Sequence, residues 1–205
     1  MTDKIPRLIE PQELESLLYD ERLIIIDLSS LSLYSLQHVP GSVHLPYSAL
    51  MSNSPPAMGK CPTFSEVESL ISYLGIDNTK QVIVYDDEGG GWAGRFTWIM
   101  DLVGLHNWSY LNGGIVAWIK EGFPTESSPN LPNASQACIG VDFAYPAVSI
   151  SADEIIASMG DNDFVIWDAR NPAEYSGEIV SAARGGHIPG AINLEWTTLM
   201  STQTN

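Results

Sequence analysis

The chain sets three carboxylates directly beside three glycines, in the run Asp86-Asp87-Glu88-Gly89-Gly90-Gly91. Carboxylates this close suit two kinds of chemistry. They can share a cation, or one of them can accept loop N–H groups in place of an outside anion. The adjoining glycines favour the second reading, because a glycine turn ahead of a helix aims its backbone N–H groups at one point. Metal binding by Asp86, Asp87 and Glu88 is the alternative, and no metal site is expected. Nucleophiles are few. The chain has two cysteines, Cys61 and Cys138. Cys61 precedes Pro62 and a helix start, so a helix N-terminus could act on its thiol; packing is the plainer reading. Cys138, followed by Ile139-Gly140, reads as a small apolar filler. The sixth residues after them are Val67 and Ala144, so neither opens a Cys-x5-Arg phosphate loop, and a cysteine phosphatase is excluded. Two cysteines give no disulfide framework and no metal spacing.

The elements that position these groups occur twice. Residues 9–34 correspond in spacing to residues 150–175, and His38-Val39-Pro40-Gly41-Ser42-Val43 returns, after an insertion, as His187-Ile188-Pro189-Gly190-Ala191-Ile192. In each copy a helix leads into a short apolar run ending in aspartate, Leu23 to Asp27 and Phe164 to Asp168. Such runs suit strands buried on both faces, as in a parallel sheet. Asp27 and Asp168 are expected to fix the loops behind those strands. His38 and His187 precede Pro-Gly turns in both copies, so they read as turn residues whose imidazole N–H groups bond backbone. The first copy runs on through a helix over 64–74 with a Thr63/Glu66 capping box and Gly75 as its stop. A second buried strand over 81–85, a helix over about 92–103, a strand over 108–111 and a helix over 115–120 follow. Arg95, in the helix after the acidic loop, is expected to pair with Asp86 or Asp87. Trp98, Trp118 and Trp167 read as core, and Trp92 borders the loop.

Strands alternating with helices give an α/β fold with a largely parallel sheet flanked by helices. Residues 1–125 form one complete unit, 126–139 a polar, proline-containing linker, and 140–205 the N-terminal half of a second unit. The second copy passes Leu199-Met200, which echo Leu50-Met51, and is expected to be cut short at Asn205. A half-unit leaves strand 164–168 without neighbours, so residues after 140 are expected to be less stable than the first unit or to dock on it. Twenty-five acidic against nine basic residues leave a net charge of −16. That argues against nucleic acid and against an anionic membrane surface, and an anionic substrate then needs a locally placed cation. The N-terminus lacks an apolar secretory core, and no apolar run is long enough to span a bilayer. With so little cysteine, a cytoplasmic location is expected.

Asp168-Ala169-Arg170 followed by Gly186-His187-Ile188-Pro189-Gly190-Ala191-Ile192-Asn193, Val84-Tyr85-Asp86 ahead of the glycine loop, and Tyr110-Leu111-Asn112-Gly113-Gly114 leading to Ala117-Trp118 together resemble the rhodanese family. The resemblance is to its tandem-domain thiosulfate or 3-mercaptopyruvate sulfurtransferases and covers nearly the whole chain. It implies a rhodanese-like parallel sheet with an inactive first domain, and no cofactor. It also implies a second domain whose cysteine takes sulfane sulfur as a persulfide and passes it on. The partners implied are a small anionic sulfur donor and a thiol or cyanide acceptor. Asp86 occupies the position of that cysteine in the first domain, and a carboxylate cannot become a persulfide. The corresponding cysteine of the second domain is expected beyond Asn205, so no catalytic residue lies within the chain. Arg170 resembles the arginine that contacts the anionic substrate, and a planar guanidinium matches a sulfonate or carboxylate at two points. An ion pair with Asp168 or Glu174 is the competing reading. Ser29 stands where the second copy has Arg170, and Arg184 offers a possible second cation. The activity expected is sulfur transfer through a persulfide. A non-catalytic binding or regulatory module, with its acidic loop facing a basic partner, is the alternative.

Overall fold

Strands β2 (Leu23–Asp27) and β4 (Gln81–Tyr85) are apolar along their length because both of their faces are covered. Side chains alternate across a strand. Ile26, Val82 and Val84 therefore join one core cluster, while Ile25, Ile83 and Tyr85 join the other. This is a computed structural model that describes residues 5–55, 58–134 and 148–200. Strands β1 (Leu8–Ile9), β3 (Val43–His44) and β5 (Trp108–Leu111) complete a five-stranded sheet in the order β1-β5-β4-β2-β3. Every pairing is parallel, with Ile26 opposite both Val84 and Val43, and Asp27 opposite Tyr85 and His44. All the carboxyl ends thus lie along one edge, where open α/β sheets bind their ligands.

The helices close the two faces. Helix α3 (Phe64–Leu74) opens on the expected capping box, with Glu66 Oε2 accepting the Thr63 N–H at 2.7 Å and Thr63 Oγ1 accepting the Glu66 N–H at 3.4 Å. Such a cap is worth about 1 kcal/mol. It ends at Gly75, whose φ of 70° a side chain would resist. Val67, Ile71 and Leu74 pack with Phe96, Ile99 and Met100 of α4 (Gly91–Leu102) over the first cluster. Helices α1 (Pro11–Glu15) and α5 (Gly114–Lys120) cover the second cluster with Leu14, Ile115 and Trp118. Helix α2 (Leu31–Leu36) follows β2. Leu17 and Leu18 lie beyond the end of α1, yet still pack on that cluster.

The chain divides into two compact units, residues 1–149 and 150–205. The second repeats the opening of the first. Helix α6 (Ala152–Ser158) carries a Ser151/Glu154 capping box, and β6 (Trp167–Asp168), α7 (Pro172–Ser176) and β7 (Ile192–Asn193) follow. Strands β6 and β7 pair in parallel, Trp167 opposite Ile192 and Asp168 opposite Asn193, in the register of Ile26–Val43 and Asp27–His44. The strand expected over 164–168 shrinks to two residues. In the first unit β2 lies between β3 and β4; among the described residues β6 pairs with β7 alone. Trp167, expected in the core, is 53% exposed and Ile192 61%, against 0% and 8% for their counterparts Ile26 and Val43. Full burial of a large aliphatic side chain is worth about 1.5–3 kcal/mol, and residues left half-exposed forgo part of it. Trp98 is half-buried, and Trp118 is fully buried. Of the segment expected as a linker, residues 126–134 are described; they begin with an antiparallel bridge between Glu126 and His38. Cys138 lies outside the described residues. Among the described residues, no helix is long and apolar enough to cross a membrane.

Amides of β6 and β7 should therefore exchange with deuterium at least about tenfold faster than those of β2 and β4, corresponding to a local stability gap of about 1.4 kcal/mol or more. Equal protection in the two units would contradict this.

Candidate functional site

Where β4 ends, the chain turns through Asp86 into α4, and the glycines set the turn. Gly89 and Gly90 have φ of 84° and 102°, in the left-handed region, and Gly90 is the N-cap of α4. The turn aims four backbone N–H groups at the Asp86 carboxylate. Glu88 and Gly90 donate to Oδ1 at 3.1 and 2.8 Å; Trp92 and Ala93 donate to Oδ2 at 3.0 and 2.9 Å. Asp86 is 1% exposed. Its own carbonyl accepts the Ile115 N–H at 3.2 Å, against the start of α5. A Cβ on Gly114, which itself has positive φ, would run into that carbonyl oxygen, so the second Gly-Gly turn is also required by close approach. Burial, together with the Asp86 charge, pushes the Tyr110 hydroxyl up to about 12. Asp87 turns away and accepts the Ser30 N–H and hydroxyl at 3.2 and 3.1 Å, tying this loop to the one after β2. No cluster of three metal-ligating side chains exists among the described residues.

Arg95 does not pair with Asp86 or Asp87. It donates to the carbonyls of Leu50 and Gly59 and lies over the Trp98 ring, 4.8 Å from its centroid. The acidic loop already has its donors from backbone, so the guanidinium is drawn to unpaired carbonyls instead. Cys61 is partly buried; burial pushes its thiol up, against the opposing effect of the Arg95 charge, the reverse of what a nucleophile needs. Trp92 is half-buried and stacks on Tyr47, ring centroids 4.4 Å apart.

The aspartates that end β2 and β6 both hold the loop behind them, by different means. Asp27 Oδ1 accepts the Ser29 N–H at 2.7 Å and the Ser29 hydroxyl, and Oδ2 accepts the Tyr85 hydroxyl at 2.6 Å. That leaves Ser42 Oγ, 3.0 Å from the Tyr85 oxygen, to donate. Burial raises the Asp27 carboxyl, these hydrogen bonds opposing it. Asp168 has Arg170 as its partner. Arg170 Nε lies 2.9 Å from Oδ1 and Nη2 2.6 Å from Oδ2; Nη2 also donates to the Gly186 carbonyl at 2.9 Å. The Arg170 hydrogen bond holds the Asp168 carboxyl below the usual range. Asn193 Nδ2 ties the carbonyls of both residues, at 3.0 and 2.8 Å. Glu174 is engaged elsewhere, by Asn171 and Ser181. Arg170, Arg184, Gly186 and His187 line a cavity of about 530 Å³ at this edge. Among the described residues Arg184 makes no hydrogen bond or ion pair, so its charge stands free. The imidazoles take the turn role expected of them: Nδ1 donates to the Tyr34 carbonyl from His38 (2.6 Å) and to the Tyr175 carbonyl from His187 (2.8 Å), each ring stacked on that tyrosine. The sequence pattern gave no sign of the Glu126–His38 contact, at 3.4 Å, because it joins residues with no shared local motif.

A parallel sheet, a glycine turn that gathers N–H groups at the mouth of a helix, and a duplicated Asp-loop opening point to one family. The profile of the rhodanese-like domain matches residues 10–121 and 151–205. A thiosulfate sulfurtransferase from Azotobacter vinelandii is 41% identical over 196 residues, covering 96% of this chain and 71% of that protein. A 3-mercaptopyruvate sulfurtransferase from Escherichia coli is 30% identical over 167 residues, 80% of this chain and 58% of its own. The crystal structure of SseA from Escherichia coli, a 3-mercaptopyruvate sulfotransferase, superposes with a TM-score of 0.83 at 25% identity, over 96% of this chain and 78% of that one. The chain belongs to the rhodanese family.

Asp86→Ala leaves four helix-mouth N–H groups without their acceptor. We expect it to lower the unfolding free energy of the first unit by about 3 kcal/mol, read from urea unfolding followed by tryptophan fluorescence, with added sulfate restoring part of the loss. An unchanged midpoint would contradict the cradle's role.

Proposed function

We propose that this chain serves a rhodanese-type sulfurtransferase that moves sulfane sulfur from a small anionic donor, thiosulfate or 3-mercaptopyruvate, to a thiophilic acceptor such as a thiol or cyanide. A thiolate attacks the outer sulfur of thiosulfate, the S–S bond breaks, and sulfite leaves with the electron pair. The acceptor then attacks the persulfide sulfur and releases the thiolate. The first unit takes no part in this step: its N–H cradle is filled by its own carboxylate, and Asp86 stands where a thiol would be needed. Cys61, with its thiol pushed up by burial, is a bystander, and Cys138 is assigned the same role. Neither cysteine of these 205 residues is assigned the role of the sulfur-receiving thiol.

The observation that carries the reading is the second unit's cavity, which gathers Arg170 and Arg184 at the carboxyl end of β6. In the first unit the position of Arg170 is held by Ser29. In a chain of net charge −16, a local cation is what lets an anionic donor settle. Arg170 spends Nε and Nη2 on Asp168 and Gly186, leaving Nη1 for a ligand. Arg184 is unpaired among the described residues and carries the larger share of the donor's charge. No observation favours a purely binding role for the second unit, and in the first unit the filled cradle leaves Asp86 and Asp87 bonded within the chain rather than facing a partner.

The test is thiocyanate formation from cyanide and either donor by the protein purified from its own gene. Turnover with one donor is expected, and Arg184→Ala should raise the KM for that donor about tenfold with kcat within about twofold, since a charge-assisted contact is worth about 1.4 kcal/mol or more. No turnover with either donor would sink the proposal. The 205 residues alone should gain no sulfur atom from thiosulfate by intact mass; a stable persulfide on Cys61 or Cys138 would contradict their assignment.

A further inference from the structure

The insertion that sets the second copy apart lies between α7 and His187. In the first unit Gln37, the C-cap of α2, leads straight into His38. In the second, residues 177–186 stand between Ser176, the last residue of α7, and His187. The two ends of this segment meet. Gly177 and Gly186 have φ of 87° and 92°, in the left-handed region. A Cβ on Gly177 would lie 2.8 Å from the Gly186 nitrogen. One on Gly185 would lie 3.1 Å from the Gly177 carbonyl oxygen and 3.0 Å from Val180 Cγ2. Backbone meets backbone here with no room for a side chain, which is why glycines stand at the closure. A surface segment whose ends touch in this way is an Ω-loop, a form that often carries function.

Helix α7 holds the loop along its length. The Ile179 N–H donates to the Ala173 carbonyl at 3.0 Å. The Ser181 hydroxyl donates to Glu174 Oε1 at 3.1 Å. Glu174 is itself fixed: Asn171 Nδ2 donates to its Oε2 at 2.8 Å, and Asn171 Oδ1 accepts its N–H at 2.9 Å. Past the loop, His187 Nδ1 donates to the Tyr175 carbonyl at 2.8 Å. The stretch between these ties, Arg184 to Gly186, lines the same cavity as Arg170. The Gly186 carbonyl accepts Arg170 Nη2 at 2.9 Å. One glycine thus joins the two cations: its nitrogen lies at the closure of the loop that carries Arg184, and its carbonyl holds Arg170. Arg184 has no hydrogen bond or ion pair of its own among the described residues, so its place is set by the loop's closure and not by a partner.

We propose that the closed loop 177–186 positions Arg184 for the anionic sulfur donor, with Gly185 and the Ser181–Glu174 pair as its positioning residues. The inference rests on the donor site proposed above and adds the device that builds it. A cation on a slack loop must order its backbone before it can hold an anion, and that ordering weakens binding. The glycine closure and the Ser181–Glu174 hydrogen bond order the loop before any ligand arrives. The first unit lacks both the loop and an arginine at position 29. Both cations of the cavity therefore belong to what the second copy has in addition to the first.

The experiment follows phenylglyoxal modification of Arg184, by peptide mass, in the protein purified from its own gene, with and without thiosulfate. Arg184 is exposed and should react; thiosulfate in the cavity should shield it. The thiosulfate concentration that halves the modification rate should rise at least about fivefold in Gly185→Ala and about threefold in Ser181→Ala. In Ser181→Thr, which keeps the hydroxyl, it should stay within about 1.5-fold of the unmodified protein. Hydrogen exchange of peptides across β6 and α7 should be the same in both serine variants as in the unmodified protein, so lost shielding there is not lost folding. Should the new Cβ of Gly185→Ala disturb α7 itself, the serine variants decide. An unchanged half-shielding concentration in Ser181→Ala, or the same rise in Ser181→Thr, would overturn the proposal and leave the donor site standing. No shielding of Arg184 by thiosulfate in the unmodified protein would overturn the donor site, and this inference with it.

Discussion

Where β4 hands over to α4, four backbone N–H groups converge on one small volume, and something negative must sit there. A helix start offers its first N–H groups to no partner within the helix, and buried donors without acceptors cost about 1–3 kcal/mol each. Here the negative group is the chain's own Asp86, 1% exposed and bonded to four N–H groups. The consequences spread along the carboxyl edge of the sheet. Gly89 and Gly90 must adopt positive φ to turn the donors inward, Gly114 must lack a side chain to let α5 approach the Asp86 carbonyl, and Asp87 is left free to hold the β2 loop through Ser30. A loop of this shape is suited to a thiolate or an oxyanion. Filled by a carboxylate, it becomes a structural knot.

Much of this was legible in the residues, because local rules sufficed for it. The capping box at Thr63/Glu66 and the stop at Gly75 each depend on groups within a few positions of each other, and both are present. The strands over 23–27, 81–85 and 108–111 follow from unbroken apolar runs between turn signals. What failed depended on neighbours far along the chain. The run over 164–168 has the composition of a buried strand, yet only Trp167 and Asp168 pair, because a strand's length is set by what lies beside it as much as by its own residues. Trp167 is exposed for the same reason. Charge alone predicts Arg95 paired with the acidic loop; with Asp86 saturated by backbone donors, the guanidinium bonds the Leu50 and Gly59 carbonyls instead. Glu126, placed by composition in a linker, is bound into the first unit through His38, Gly41 and Asn130.

The two copies diverge most instructively at a single position. Both open with a strand that ends in aspartate, and both aspartates accept the backbone N–H two residues on. With Ser29 as that residue, Asp27 is sealed from water and bonded only by neutral donors, and burial raises its carboxyl. With Arg170 there, the charge-assisted pair lowers Asp168 and keeps it ionised. Arg170 is exposed where Ser29 is buried, and a cavity lies beside it. A neutral partner thus gives a closed edge that needs nothing from outside, whereas a cationic one gives an open edge whose charge is only partly matched. The two copies share the same opening, strand, Asp-loop and helix. The residue two places after each aspartate, together with the carboxylate at Asp86, separates a closed edge in the first unit from an open, arginine-lined edge in the second.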